Sequence, residues 1–502
     1  MRIFKNYVTL FWIAQAAFLL VKIVFAFRPE INLFTEEAQY WLWSQNLAWH
    51  YYSKPPMVAV TNFLSTSLFG INEFAIRIVP AILGIGSAWL IFQLTDLLFQ
   101  SKKIAFWASM ILISMPFFLL FSTFHMTDSE LTFFWILTWY LLAKALKEKQ
   151  MKWWVFAGVS AAFGLASKPV ILLIIPILGF YLFLRKDLKT YSKEFVVFGL
   201  VFMLGFLPSL IWNMQNGFQT FKHIATLGGV EGEKEARTIL DALKSFSEFI
   251  GSQMAMISIF MIPVVWVGVK RFKKQPVPDA LFLLLPALVP FVAFGALSFL
   301  TEIQANWIAF SYPTLAVCFA YLLSENSLNW KKYQSWAVGL GLGLPLILFL
   351  PEAFGWKKVT GVEKVELAAF RRMAGYDQIA QRVMFLQDSL KAKGPFYYSE
   401  SYHVSSELAF YLPDHPQTYQ AAMGARRNQF DLWESLDTKV GKEATGVFVS
   451  LHEESSEKVT QFEELIYEEE FPIYFREVYL RSAKIQFWKN LEKYTPIHTG
   501  AY

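Results

Sequence analysis

Stretches of close to twenty apolar residues recur along the first two thirds of the chain, each bounded by a short segment with lysine, arginine or a polar turn. A helix of that length crosses the roughly 30 Å hydrocarbon core of a bilayer. Lipid offers the backbone no hydrogen-bond partner, so such runs are confined to helices that satisfy their own peptide groups. The runs lie near 7–27, 74–99, 104–122, 129–147, 153–167, 169–184, 195–213, 246–268, 279–299, 306–323 and 334–351. The stretch 57–69 is shorter and follows Lys54-Pro55-Pro56, which reads as an interfacial or re-entrant helix rather than a twelfth span. The expectation is an α-helical polytopic membrane protein of about 11–13 transmembrane helices.

Composition agrees. With 55% hydrophobic and 17% charged residues, the 502-residue chain is too apolar for a string of soluble domains. The single cysteine, Cys318, lies inside an apolar run, so a disulfide scaffold is excluded. The net charge of +5 sits mainly in short segments between spans, which makes it a topology signal and no reason to expect nucleic acid as a partner.

The amino end carries Arg2 and Lys5 and leads into a run without a small-residue cleavage site, as in an uncleaved signal anchor with a cytoplasmic N-terminus. Basic loops then alternate: Lys102/Lys103, Lys144 to Lys152, Arg185 to Lys193, Lys270 to Lys274 and Lys331/Lys332. These read as cytoplasmic. Residues 28–56, 123–128, the Ser167-Lys168-Pro169 corner, 214–245, 300–305 and everything after about 352 read as outward-facing. The parity requires 153–184 to be a helical hairpin broken at Lys168-Pro169, because proline disfavours helix in the residue before it.

Residues 1–352 are therefore expected to form a transmembrane domain and 353–502 a soluble α/β domain on the outer side. In the latter, strand-like pieces (395–399, 446–450, 483–488) alternate with helical pieces expected over 376–392 and 455–465.

Ionisable groups at membrane depth are costly, so their clustering is informative. The first outer loop carries Glu36, Glu37, Trp41, Trp43, Tyr52 and Lys54, the second His125 and Asp128, and the third Lys168. The fourth carries Asn213, Asn216 and Lys222-His223, and the fifth Glu302, Gln304, Asn306 and Trp307. Lysine is a point-charge binder of phosphate, a carboxylate is a general base for a hydroxyl, and aromatic rings give flat faces to a sugar or an isoprenoid.

Each residue also has a plainer reading. Glu36 and Glu37 fit solvated loop acids, and Lys54 and Lys168 fit lysines snorkelling to headgroups. Trp41, Trp43 and Tyr51/Tyr52 suit an interfacial belt better than sugar platforms. Arg77 stands four residues after Glu73 as a helical ion-pair partner, and Asp128 fits a helix N-cap. His125 and His223 read more simply as ordinary histidines than as metal ligands, and Arg426, Arg427 and Asp431 as surface charges. Shared sidedness lifts the set above its members.

Several segments then carry a resemblance: Glu36 through Gln45, Tyr51 through Met57, Thr127-Asp128, Ser167-Lys168, Trp212 through Phe218, Ala305-Asn306-Trp307 and Ser406 through Pro413. In order and spacing the chain resembles the bacterial family 39 membrane glycosyltransferases of the C-type superfamily, related to protein O-mannosyltransferases and to the lipid A aminoarabinose transferase. The resemblance implies many membrane helices, an outer cavity beside the first loop and a periplasmic domain capping it. In such relatives the first loop carries an acidic pair usually beginning with aspartate, and its first member, here Glu36, is taken as the base. An acidic residue associated with a metal precedes Lys-Pro-Pro in the aminoarabinose transferase, where this sequence has Ser53. His223 looks like the histidine partner of a divalent metal ion, and an arginine found shortly after the acidic pair is replaced in the region of Gln39.

The expected chemistry is inverting transfer of a sugar from a polyprenyl (undecaprenyl) phosphate donor to lipid A, another glycolipid or a protein at the periplasmic face of the inner membrane. Glu36 or Glu37 would deprotonate the acceptor, with Asp128 orienting the acceptor or Lys54. Lys54, Lys168 and Arg77 would hold the donor phosphate, and Tyr52, Asn216, Asn306 and Trp307 would contact substrate. A transporter or flippase of a lipid-linked or small polar solute is the alternative, and a receptor or scaffold a third.

Overall fold

The computed structural model describes residues 6–222, 238–264, 266, 277–324, 328–349, 370–424, 426–452, 454–475 and 478–498. Within the described residues, each expected run falls mainly on helix. These are α1 (Tyr7–Ala26), α4 (Glu73–Phe99), α5 (Lys102–Ile113) with α6 (Pro116–Phe121), α7 (Thr127–Glu148), α8 (Met151–Leu165), α9 (Ile174–Leu184) and α10 (Ser192–Leu204) with α11 (Leu207–Gln215). Helices Ile239–Ile257, Ala280–Leu297, Pro313–Ser324 and Leu328–Phe349 follow. The chain is a multi-pass helical membrane protein. By length and composition alone α1, α4 and Ala280–Leu297 each suffice to cross, and two bent pairs raise the number to five among the described residues. The other runs are broken or carry charges near their ends.

The breaks have local causes. Pro116 at the start of α6 fixes a new helical turn, and Lys168 is extended, with φ −160° and ψ 129°, because Pro169 follows it. α8 therefore ends at the expected corner, and a short 3-10 turn, Pro169–Leu173, leads into α9. The 41° bend between α10 and α11 sits at Gly205, where a Cβ would lie 2.5 Å from the Ala162 carbonyl oxygen on α8. Small residues at such crossings allow the backbone approach that holds membrane helices together without a hydrophobic drive. The 57–69 stretch is one helix, α3 (Met57–Phe69), of 13 residues, too short to span unaided.

The helix ends fall into two groups. Leu97, Lys147, Arg185 and Asp279 meet around one cavity, where Arg185 bonds to Asp279 at 3.2 Å. Residues 32–37, Arg77, His125, Asp128 and Lys168 meet at the opposite end, under the C-terminal domain.

That domain is a five-stranded sheet of order β2-β1-β3-β5-β4. β1 (Phe396–Ser399) lies parallel to β2 (Thr418–Gln420) and β3 (Thr445–Ser450), while β5 (Val478–Tyr494) is antiparallel to β3 and to β4 (Thr460–Phe475). Helix Tyr376–Leu390 forms where expected. The helix expected over 455–465 does not: a 3-10 turn at Ser456–Lys458 runs into β4. Its glutamates favour helix locally, but opposite them on β5 stand lysines, and Lys484 pairs with Glu468 at 3.2 Å and Lys489 with Glu463 at 2.5 Å. Cross-strand pairing overrides local preference. The domain boundary expected at 352/353 lies outside the described residues.

Candidate active site

The first outer loop is organised by α2 (Thr35–Ser44), whose third residue, Glu37, accepts the Phe34 backbone N–H at 2.9 Å. The same carboxylate accepts the His125 backbone N–H at 2.8 Å and the Arg77 Nη2 at 3.3 Å, and both side chains of this pair are at most 1% exposed. Arg77 also donates to the Ile31 and Asn32 carbonyls at 3.2 and 2.6 Å. Glu37 and Arg77 thus clamp the first loop, the second loop and α4 together, and neither lines the large polar cavity nearby. Arg77 pairs with Glu37 rather than with Glu73, whose carboxylate takes the Tyr411 hydroxyl at 3.0 Å.

One position earlier on α2, Glu36 turns the other way. It lines a cavity of about 290 Å³ together with Tyr52, Lys54, Asp128, Lys168, Asn306 and Trp307. Residues expected from distant loops share one chamber. Lys168 donates to both oxygens of Asp128, at 2.8 and 3.1 Å, and Asn306 Nδ2 approaches Asp128 at 3.5 Å. Asp128 occupies the first turn of α7, where the helix dipole favours a negative charge. The Met57 N–H donates to the Ala166 carbonyl at 2.9 Å, which ties the Lys54 loop to the Lys168 corner.

Lys54 has no salt-bridge partner among the described residues. Burial first, then the charges of Lys168 and Arg426, lower its pKa to about 8 against the pull of Asp128 and Glu36.

The C-terminal domain supplies the roof. Tyr402, Arg426, Arg427 and Asn428 line the same cavity, and Gln429 accepts the Tyr52 backbone N–H at 2.7 Å. Arg372 donates to both oxygens of Glu36, at 3.0 and 2.9 Å, and to Thr35 Oγ1 at 2.6 Å, with its guanidinium 4.5 Å from the Phe34 ring. Arg426 and Arg427, read from sequence as surface charges, face the chamber instead. Nothing local marks them, because their neighbours are set by the docking of two domains. Four basic side chains (Lys54, Lys168, Arg426, Arg427) face two acidic ones (Glu36, Asp128), leaving an excess of two positive charges for an anion.

Other expected residues lie elsewhere. Asn216 does not line the cavity: it caps the end of α11, its Nδ2 donating to the Trp212 carbonyl at 2.9 Å. Trp41 and Trp43 are neither belt nor platform. Both are buried, Trp41 edge-on to Phe410 at 4.9 Å and Trp43 stacked on Tyr51 at 4.5 Å. His125 is held between Asn62 Oδ1 at 2.6 Å and Glu130 Oε1 at 2.7 Å. His223 lies outside the described residues. Among the described residues no three His, Cys, Asp or Glu side chains form a metal-ligand set, and Ser53 is a poor substitute for a carboxylate. Among the described residues, then, no side chains are grouped to hold a metal ion.

A protein-family model described as dolichyl-phosphate-mannose-protein mannosyltransferase matches residues 53–212, the stretch that carries Lys54, Asp128 and Lys168. The whole architecture superimposes on ArnT from Cupriavidus metallidurans bound to undecaprenyl phosphate, with a TM-score of 0.65 at 13% identity, covering 96% of this chain and 98% of that one. The chain is similar to C-type membrane glycosyltransferases in sequence and in fold. It is 26% identical over 322 residues to the lipid A galacturonosyltransferase RgtD of Rhizobium johnstonii, covering 63% of this chain and 64% of that protein. It is 25% identical over 282 residues to undecaprenyl phosphate-alpha-4-amino-4-deoxy-L-arabinose arabinosyl transferase 2 of Proteus mirabilis, covering 51% and 47%. The matches to these curated C-type relatives thus span less than two thirds of their length.

Proposed function

We propose that the protein is an inverting glycosyltransferase that takes its sugar from a polyprenyl-phosphate donor at the periplasmic face of a bacterial inner membrane, with the N-terminus in the cytoplasm. The observation that carries this reading is Lys54: a half-buried ammonium without a salt-bridge partner among the described residues, facing a chamber with an excess of positive charge. A phosphate entering beside it would restore the charge balance that burial disturbs. The donor carries such a phosphate, and the names of the relatives point to undecaprenyl phosphate and lipid A.

In this mechanism Lys54 and Lys168 stabilise the polyprenyl phosphate as it leaves, and Asp128 positions Lys168. Glu36 accepts the proton of the acceptor hydroxyl, whose oxygen attacks the anomeric carbon as the bond from that carbon to the phosphate oxygen breaks. The electron pair of the broken bond leaves with the phosphate. Arg372 fixes the Glu36 carboxylate, and the base needs position more than tuning. A phosphate acceptor would need no base, and Glu36 would then orient it. Tyr52, Asn306 and Trp307 line the chamber and would contact the sugar. The acceptor is lipid A, another glycolipid or a protein.

The test is direct. Purified protein is supplied with undecaprenyl-phosphate sugars, including a uronic acid and an amino pentose, and with lipid A or peptide acceptors, and products are followed by mass. A mass-shifted acceptor lost in Glu36→Gln and Lys54→Ala supports the reading. Unchanged turnover in both variants would overturn the assignment of the chamber.

A further inference from the structure

A second cavity, of about 450 Å³, opens where the ends of α1 and α4 meet helix Tyr376–Leu390. It shares no lining residue with the first. Glu73, in the first turn of α4, and Asp377, in the first turn of Tyr376–Leu390, contribute two carboxylates, and the Tyr411 hydroxyl donates to Glu73.

Among these acceptors stands a buried donor. Asn32 is fully buried, and its Nδ2 makes no hydrogen bond of standard geometry among the described residues, while its side chain helps hold down the pKa of the neighbouring Asp377 carboxyl. Its orientation is not arbitrary, because Oδ1 accepts the Tyr376 backbone N–H at 2.8 Å, which leaves the amino group on the other side. Arg28 also lines the cavity, with its guanidinium paired to the Glu30 carboxylate. At the rim Phe27, 65% exposed, stacks on Phe74 at 4.9 Å, just past the last turn of the membrane helix α1. Aromatic rings collect at this depth, between acyl chains and water.

We propose that this cavity binds the headgroup of a membrane phospholipid carrying a primary ammonium, with the ammonium between Glu73 and Asp377 and a phosphate oxygen accepting from Asn32 Nδ2 beside Arg28. The mixed lining selects this class. A metal ion would face Asn32 Nδ2 and Arg28, and a simple anion would face two carboxylates. A zwitterion with its charges a few ångströms apart matches both the carboxylates and the amide donor. A trimethylammonium head has no N–H to donate and is the weaker ligand. Burial raises the Asp377 carboxyl above its ordinary value, against hydrogen bonds from the Gln378 backbone and the Asn32 side chain, and a cation beside it relieves that cost. The proposal rests on α1 and α4 being membrane spans and is independent of sugar transfer.

The full chain is reconstituted in nanodiscs of equimolar phosphatidylethanolamine, phosphatidylcholine and phosphatidylglycerol with matched acyl chains, and co-released lipid is counted by native mass spectrometry. Phosphatidylethanolamine is expected to be retained at least fivefold over either competitor. Asp377→Asn should cut that preference below twofold, and so should Asn32→Asp, which keeps the acceptor for Tyr376 and removes the donor. Equal retention of the three lipids by the wild-type protein overturns the proposal whether or not the variants fold. So does a preference that survives in both variants with an unchanged melting temperature.

Discussion

The guanidinium of Arg372 grips both carboxylate oxygens of Glu36 across 336 positions of sequence, at 3.0 and 2.9 Å. Its neighbour on the same helix, Glu37, is gripped instead by Arg77 from a membrane helix. Two adjacent acids therefore answer to different halves of the molecule.

Substitution should separate them. Glu36→Gln is expected to lower transfer to a hydroxyl acceptor by about 10²-fold or more with an unchanged melting temperature, the usual scale of general-base loss. Glu37→Gln leaves Arg77 buried without its partner and is expected to cost about 3–5 kcal/mol of stability. Thermal unfolding in detergent and product mass, measured on both variants, check the division.

The Lys54 ammonium, with its pKa lowered to about 8, is fully charged below that pH in the empty chamber and discharges as pH rises through it. Donor binding is expected to weaken above pH 8, and Lys54→Gln to bind poorly but without that decline. Stability should move the opposite way. Between pH 8 and the ordinary lysine value of about 10.4, the unfolded chain binds more protons, so the wild type gains stability with rising pH relative to Lys54→Gln. Donor titrations and melts across that window test both signs.

Asp128 and Lys168 form one unit, so their variants should not add. A cycle of Asp128→Asn, Lys168→Met and the double variant is expected to show a coupling of about 1–3 kcal/mol in kcat/KM for the donor. Additive losses would mean that the pair seen here is not maintained during turnover.

Arg426→Ala and Arg427→Ala remove positive charge from the roof. Each is expected to raise the donor KM several-fold and to weaken its dependence on ionic strength, with less effect on kcat, as steady-state kinetics at two salt concentrations would show.

Gly375 caps helix Tyr376–Leu390 with φ +91°, and a Cβ there would lie 2.1 Å from Ile473 Cγ2 on β4. Gly375→Ala is expected to cost about 2 kcal/mol or more through strain and overlap together, visible as a lower melting temperature.

The spans were legible because hydrocarbon thickness imposes one length on all of them and leaves the backbone no alternative to helix. The Lys168-Pro169 corner was legible because proline acts on its immediate neighbour. The strand over 460–475 was not, since the lysines that stabilise its glutamates stand on a later strand. Glu36 and Glu37 are indistinguishable as letters, and only the rotation of about 100° between successive helical residues sends one into the chamber and the other into the core. Arg372, Arg426 and Arg427 gave no signal either, because their meaning arises from docking rather than from neighbours in sequence.

The strand that comes last along the chain, β5, lies between β3 and β4 rather than at an edge. A nascent polypeptide can thus embed its helices and assemble Glu36, Lys54 and Lys168 long before the sheet above them can close. Until Tyr494 has been synthesised, β3 and β4 lack the strand that joins them, and the layer carrying Arg426 and Arg427 cannot take its final form above the chamber.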